Sequence, residues 1–175
     1  MTDALPFGWL PTPFGVEEAE AAELAMELTR IAADSLPGFI DGDQARRAMA
    51  ATIGRPPITA NTVGRVWHVL GAGATGAIVD LSVVEGTESV VDSPFAFTVS
   101  QRTVPFSGGR AVLSLVAPRE HVPVSMMLRA QRRVGQRTLV ADVIDAAPVL
   151  GFILDDVISL VGGTPPADVH PAVPS

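Results

Sequence analysis

The chain of 175 residues contains no cysteine, no lysine and no tyrosine. Without cysteine it can form no disulfide framework, no thiolate metal site and no catalytic thiol. Without tyrosine it lacks one of the side chains that serve as general acids. All 12 of its strongly basic residues are arginines, and their planar guanidinium groups pair with carboxylates and phosphates through two hydrogen bonds. Arginine is therefore the side chain through which this protein engages anions.

Long apolar runs are missing as well. No stretch approaches the roughly 18 consecutive apolar residues that a membrane-spanning helix needs, and the N-terminal residues lack the basic and apolar regions of a signal peptide. Apolar residues make up 47% of the chain, charged residues 18%, and the mean hydropathy is +0.35. This composition is typical of a chain that buries a core, and we expect a soluble cytoplasmic protein.

The two ends of the chain differ in composition from its centre. Residues 1–15 hold three prolines and two glycines together with three aromatic residues, including Trp9 and Phe14. Proline disrupts regular structure, so this segment predicts an arm that lies on its own domain or on a partner. Residues 163–175 are polar and proline-rich and predict a flexible tail. Residues 16–162 then form a single α+β domain.

Three segments have the pattern of helices. Apolar residues recur at helical spacing over residues 16–36 and 45–53, and Asp41 is in position to cap the second helix. A third helix is predicted over residues 145–161, and its surface is apolar almost all round. Such a helix is either buried inside the protein or docked on a partner, which makes Phe152 and Leu154 candidate contact residues.

From residue 63 onwards the apolar period changes to two, which predicts about five or six strands. The clearest hairpin turns at Gly135-Gln136, and in that register Arg129 lies opposite Asp142, Leu128 opposite Val143, and Ala130 opposite Ala141. Helices followed by consecutive strands with short links indicate an α+β fold with a mainly antiparallel sheet. The strands are predicted at residues 63–70, 77–84, 95–99, 110–117, 122–133 and 137–144.

Charge is segregated along the chain. The net charge is −8 over residues 1–100, +6 over residues 101–137 and −5 over residues 138–175. Arg129, Arg132 and Arg133 lie in the basic segment and are candidates for binding an anionic ligand or an acidic partner. The alternative is that these arginines pair with the protein's own acids or across a subunit contact. A total charge of −7 argues against nucleic acid.

A glycine-rich segment separates the first two predicted strands. Gly71, Gly73 and Gly76 fit the G-x-G-x-x-G spacing of dinucleotide-binding loops, in which the pyrophosphate lies on a helix N-terminus. That interpretation requires a helix directly after the glycines. The alternative is a glycine-rich connection between two strands, because the pattern of residues 77–84 is that of a strand.

The run Asn61-Thr62-Val63-Gly64-Arg65-Val66-Trp67-His68 resembles the segment that precedes a carboxylate-bearing helix in acyl-CoA thioesterases of the hot-dog fold. Residues 128–145 are similar to the late strands of those proteins. The resemblance implies a curved antiparallel sheet, Asp80 as the catalytic carboxylate and arginines that hold the phosphates of coenzyme A. The paired glycines of the family are replaced here by Val69-Leu70.

Other catalytic patterns are sparse. The three histidines stand apart from further ligands, so no metal site is predicted, and no G-x-S-x-G motif marks a nucleophilic serine. The sequence therefore predicts a non-catalytic binding or assembly module without a cofactor. Such a module would be a homo-oligomer or an accessory subunit of a larger complex. A hot-dog thioesterase using Asp80 and a nucleotide-binding protein using Gly71–Gly76 remain the alternatives, and a helix over residues 77–85 would favour both.

Overall fold

The computed structural model describes residues 8–69, 76–85, 97–117, 125–145 and 153–162, and the chain divides into two units, Met1–Asp80 and Leu81–Ser175. The described helices and a seven-stranded antiparallel sheet confirm the α+β fold, with one strand more than the upper prediction. The sheet order is β1-β2-β3-β7-β6-β5-β4. The elements are β1 (Trp9–Pro11), α1 (Glu18–Ser35), α2 (Asp43–Gly54), β2 (Thr62–Val69), β3 (Gly76–Glu85), β4 (Phe97–Phe106), β5 (Gly109–Ala117), β6 (Ser125–Val134), β7 (Arg137–Asp145) and α3 (Leu154–Leu160).

The first unit is built around the two predicted helices, which are confirmed. Helix α1 buries one small residue on almost every turn, and α2 buries Met49 and Ile53. These side chains form a cluster with Phe39 and Trp67. Small residues on α1 let the helices approach closely, so the cluster is filled mainly by the larger side chains of α2 and β2. The buried residues of α1 are Ala21, Ala25, Thr29 and Ala32.

The start of α2 corrects one prediction. The N-cap is Gly42, not Asp41, and the cap makes no side-chain hydrogen bond. The Asp41 carboxylate instead accepts hydrogen bonds from Nε and a terminal nitrogen of Arg46, at 2.7 and 2.8 Å. A bidentate bond to a guanidinium is stronger than a bond to a neutral backbone amide, so Arg46 draws the carboxylate away from the capping position.

The N-terminal arm is also more regular than predicted. Trp9, Leu10 and Pro11 form strand β1, which pairs with β2 from His68 back to Val66. The expectation of irregular structure is wrong for these three residues, because a strand at the edge of a sheet tolerates proline. This additional strand raises the strand number above the prediction.

Strand β3 decides between two interpretations of the segment after the glycines. Residues 76–85 are extended, with Ala77 and Val79 fully buried and Ile78 between them half-buried. The strand prediction is confirmed. The helix that the hot-dog resemblance implied for this segment is wrong, and the helix that a dinucleotide loop requires does not follow Gly76. Gly71 and Gly73 lie outside the described residues.

The second unit is a meander of four antiparallel strands, β4 to β7. The predicted β6–β7 register is confirmed at all three pairs, with Arg129 opposite Asp142. Gly135 adopts a positive φ of 63° in the turn, which only glycine does without strain. Helix α3 packs on β6 and β7. The longer apolar helix predicted from residue 145 is not shown, because Asp145 is still paired with Met126 in the sheet and α3 begins only at Leu154, after the cap residue Ile153. Residues 146–152 and the predicted tail lie outside the described part.

None of the helices in the described ranges has the length and hydropathy that crossing a bilayer requires.

Candidate functional site

Asp80 lies in a buried ion pair rather than at an open site. Its two carboxylate oxygens accept hydrogen bonds from Arg65 at 2.6 and 3.0 Å, and one of them accepts a third from the Ile58 amide at 2.8 Å. Both charged side chains are 1% exposed. A carboxylate enclosed in this way is typical of a structural anchor, since its oxygens are already engaged by the protein.

The other donors of Arg65 hold the end of α2. They reach the carbonyl oxygens of Thr52 and Arg55, both at 2.8 Å, and that of Pro56 at 3.2 Å. These carbonyls lie at and beyond the C-terminus of the helix, where a cation is favoured by the helix dipole. The Phe14 ring lies against the same guanidinium, 5.3 Å from ring centroid to Cζ. Arg65 thus joins three segments of the first unit.

The apolar contact candidates lie mostly within the chain's own core. Trp9 is 5% exposed, and its ring centroid is 4.4 Å from that of His68. Leu154 is 6% exposed at the start of α3, and Phe14 lies against Arg65. Phe152 lies outside the described residues. The described candidates therefore place the arm and α3 on their own units, which was one of the two alternatives for each.

Arg129 forms a second buried ion pair. Its guanidinium donates to both carboxylate oxygens of Asp142, at 2.7 and 2.6 Å, and the side chains are 4% and 1% exposed. Hydrogen-bonded and non-hydrogen-bonded pairs alternate along an antiparallel ladder. Counted from the Val134–Arg137 pair that flanks the turn, Arg129 and Asp142 form a non-hydrogen-bonded pair, in which side chains approach most closely. Arg129 therefore stabilises the pairing of β6 with β7.

Four other arginines meet at one end of the second unit, where the β4–β5 and β6–β7 turns lie side by side. Gly109 pairs with Arg132 across β5 and β6, and the Arg133 amide donates to the Gly108 carbonyl at 3.3 Å. The two turns are thereby joined. We call this surface the arginine end, and it comprises Arg110, Arg132, Arg133 and Arg137 with Val134.

Two arginines of the arginine end, Arg132 and Arg133, donate to backbone carbonyl oxygens. Arg132 donates to the carbonyl of Gly162 after α3, and Arg133 donates to the carbonyl of Gly135 at 3.2 Å. Within the described ranges, no carboxylate lies within salt-bridge distance of either guanidinium. Carbonyl oxygens orient a guanidinium but leave its net charge intact. Arg133 is exposed and Arg132 is half-buried, so positive charge reaches the surface fully at Arg133 and in part at Arg132.

The other two arginines have side-chain partners, and Arg110 makes a further interaction besides its contact with Gln131. The Gln131 amide, with its oxygen turned toward Arg110, accepts from that guanidinium at 2.5 and 3.0 Å. Arg137 pairs with Glu85 at 3.0 Å, with side chains 66% and 73% exposed. Exposed pairs of this kind are weak and easily exchanged for another partner. Among the described residues, no group of three or more acids and histidines could hold a metal ion.

An apolar side chain lies on the same face of the sheet as Arg132 and Arg137. Val134, at the end of β6, is 50% exposed and directly opposite Arg137. The sequence analysis singled out Arg132 and Arg133 but missed Arg137 and Val134. The signal was in the hairpin register, since a two-residue turn at Gly135 places Arg133, Val134 and Arg137 on the same tip.

The first unit carries an open groove between α1 and α2, which the sequence analysis did not find. Met26 is 52% exposed there, and the groove volume is about 320 Å³. Helical periodicity identifies the stripe that faces the core and gives no information about a depression between two helices. The lining residues are Ala22, Glu23, Met26, Asp43, Arg46, Arg47 and Ala50.

No protein family model matches the chain, and comparisons with curated proteins and with solved structures found no significant match.

Proposed function

We propose that the protein is a non-catalytic binding and assembly module that holds an acidic protein surface on its arginine end. The observation that carries this proposal is the pair Arg132 and Arg133, whose hydrogen bonds go to carbonyl oxygens. Their side chains bring positive charge to the surface without an ion-pair partner among the described residues. An acidic surface supplies the carboxylates that these guanidinium groups lack.

The shape of the arginine end favours a protein over a small anion. Its side chains come from three adjacent strands, which together span about 10 Å. Val134 stands exposed among them. Protein contacts combine apolar residues with arginine in this way, whereas small-molecule sites are enclosed cavities.

Two aspartates are buried in ion pairs with arginine, and this is more consistent with a binding role than with catalysis. Asp80 and Asp142 are each engaged by an arginine, with side chains 1% exposed. These acids contribute to the fold, and a catalytic carboxylate would need an oxygen directed at a substrate.

The proposal is tested by fluorescence anisotropy with a fluorescein-labelled peptide of ten glutamates. We expect salt-dependent binding that weakens at least about tenfold, or 1.4 kcal/mol, in the double variant Arg133→Glu/Arg137→Glu. The matched control is Arg102→Glu, which makes the same kind of charge change at an exposed residue of β4, away from the turns. Unchanged binding in the double variant, or stronger binding of a ten-nucleotide deoxythymidine strand, would overturn the proposal.

An assay of acyl-CoA hydrolysis distinguishes the proposed binding role from the thioesterase alternative. Hydrolysis of an acyl-CoA ester by the wild-type chain, abolished in Asp80→Asn with the fold retained by near-ultraviolet circular dichroism, would contradict a non-catalytic role.

A further inference from the structure

We infer that the acidic partner is a second copy of this chain, whose groove between α1 and α2 receives the tip of the β6–β7 hairpin. The inference rests on the proposed function and names its partner. The hairpin tip is residues 133–137, and the groove is the one that contains Met26 and Glu23.

The charges of the two surfaces are complementary. Glu23 and Asp43 line the groove, and Glu20 and Glu27 lie one turn before and after Glu23 on the same side of α1. All four are exposed. The tip brings Arg133 and Arg137, so each cation has several carboxylates within its reach.

The acidic character of this surface comes from the turns of α1 beside the groove rather than from the lining alone. Arg46 is already held by Asp41 at 2.7 Å and lies 4.0 Å from Asp43. Arg47 is the one further cation among the lining residues. The lining thus holds two carboxylates and two guanidinium groups. Glu20 and Glu27 on the neighbouring turns of α1 add two exposed carboxylates, and the Arg30–Asp34 pair beyond them adds no net charge.

The apolar residues match as well. Val134 is 50% exposed on the tip, and Met26 is 52% exposed in the groove, with Ala22 and Ala50 beside it. Methionine adapts its shape to an incoming side chain. A hairpin tip is only two strands wide, about 5 Å between backbones, so it presents a narrower surface to the groove than the face of a sheet does.

A second copy fits these surfaces better than an unrelated acidic protein because both complementary surfaces occur on the same chain. Two copies with a charge of −7 each repel one another in most orientations. The segregation of charge makes attraction specific to orientations that bring a tip to a groove. The contact joins different surfaces of the two copies, and it closes into a dimer if both tips engage.

Sedimentation velocity at low ionic strength tests the inference through a charge exchange. We expect Arg133→Glu and Glu23→Arg each to weaken self-association at least about tenfold, or 1.4 kcal/mol. An equimolar mixture of the two variants should associate again, because the wild-type tip of one meets the wild-type groove of the other. Arg102→Glu and Asp34→Arg are the matched controls, since both residues are exposed and lie outside the tip and the groove.

A chain that stays monomeric at all concentrations, or two variants that associate like the wild type, would overturn the inference. Failure of the mixture to recover association would do the same. Binding of the glutamate peptide shows whether only the self-association inference has failed or the proposed function has failed as well. If the peptide binds to the wild type and to Glu23→Arg while self-association is absent, the arginine end binds acidic proteins and the partner is not a second copy.

Discussion

Arginine has three different roles in this chain, according to what surrounds its guanidinium group. Arg65 and Arg129 are buried and paired with aspartate, where the pair holds strands and a helix end together. Arg46 is partly exposed and fixes Asp41 at the start of α2. Arg132 and Arg133 donate to carbonyl oxygens and keep their charge for the surface. The role of each arginine therefore depends on how deeply its guanidinium group is buried and on which group accepts its hydrogen bonds.

The buried pair of Asp80 and Arg65 predicts a large effect of one substitution. In Asp80→Asn, the Arg65 guanidinium keeps its charge inside the protein and loses its counter-ion, so the free energy of unfolding should fall by about 3–5 kcal/mol. Urea denaturation measures this loss. The control Glu85→Gln removes one partner of an exposed pair and should cost less than about 1 kcal/mol. Equal losses in the two variants would refute the anchoring role of Asp80.

The partly exposed pair of Asp41 and Arg46 predicts a pH dependence. The hydrogen bonds from Arg46 lower the pKa of the Asp41 carboxyl below its usual value of 3.8, against a smaller opposing effect of desolvation. A lowered pKa in the folded state stabilises the protein above the unfolded pKa. This contribution is lost as the pH falls below 3.8 and through the folded pKa.

Carboxyl NMR titration should show a midpoint for Asp41 below 3.8, and Arg46→Gln should raise it. A midpoint that does not move in this variant would show that Arg46 is not the cause.

At the scale of elements, the close packing of the β4–β5 hairpin depends on a single glycine, Gly109. Gly109 begins β5, and a Cβ there would meet the Gln131 carbonyl oxygen and, at 2.7 Å, the Phe106 ring. The close approach of β5 to β6 and to Phe106 therefore requires glycine. The arginine end depends on this packing, because Gly109 lies directly opposite Arg132.

Gly109→Ala should accordingly destabilise the protein by about 1–3 kcal/mol through overpacking. The matched control is Gly64→Ala in β2, where a Cβ would meet nothing within 4 Å. Alanine at that position should be neutral or stabilise the strand by about 0.5–1 kcal/mol. Thermal unfolding followed by circular dichroism compares the two variants, and a Gly109→Ala protein as stable as Gly64→Ala would refute the packing argument.

On the scale of the whole molecule, a basic segment of the sequence lies between two acidic ones. The first 100 residues carry −8 and the next 37 carry +6, and the exposed glutamates of α1 and the arginine end are the surfaces on which these charges appear. Segregation of this kind orients encounters between molecules and is sensitive to salt. It has no effect on which fold the chain adopts.

Self-association should therefore weaken as ionic strength rises. Between about 0.05 and 0.5 M sodium chloride, the Debye length falls from roughly 14 to 4 Å, and we expect the dissociation constant measured by sedimentation to rise at least about tenfold. The Arg133→Glu/Arg137→Glu variant should show little further dependence on salt. Association that strengthens with salt would identify an apolar contact instead.

The sequence by itself determined the features that depend on neighbouring residues. Apolar periodicity placed α1, α2 and most of the strands, because helices and strands are local patterns of 3.6 and two residues. A two-residue turn at Gly135 determined the β6–β7 register and so the pairing of Arg129 with Asp142, since strand alternation is rigid once the turn is set.

Only the tertiary structure decided the features that join distant residues. Trp9 pairs with a strand more than 50 residues away, Arg65 reaches Asp80 and three backbone carbonyls of another segment, and two separate turns meet to form the arginine end. The choice among many arginine and aspartate partners depends on which surfaces the core brings together when it closes. Burial of apolar area drives the closure of the core, and it does not depend on the direction of individual contacts. The partners of these residues could therefore not be deduced from the order of residues alone.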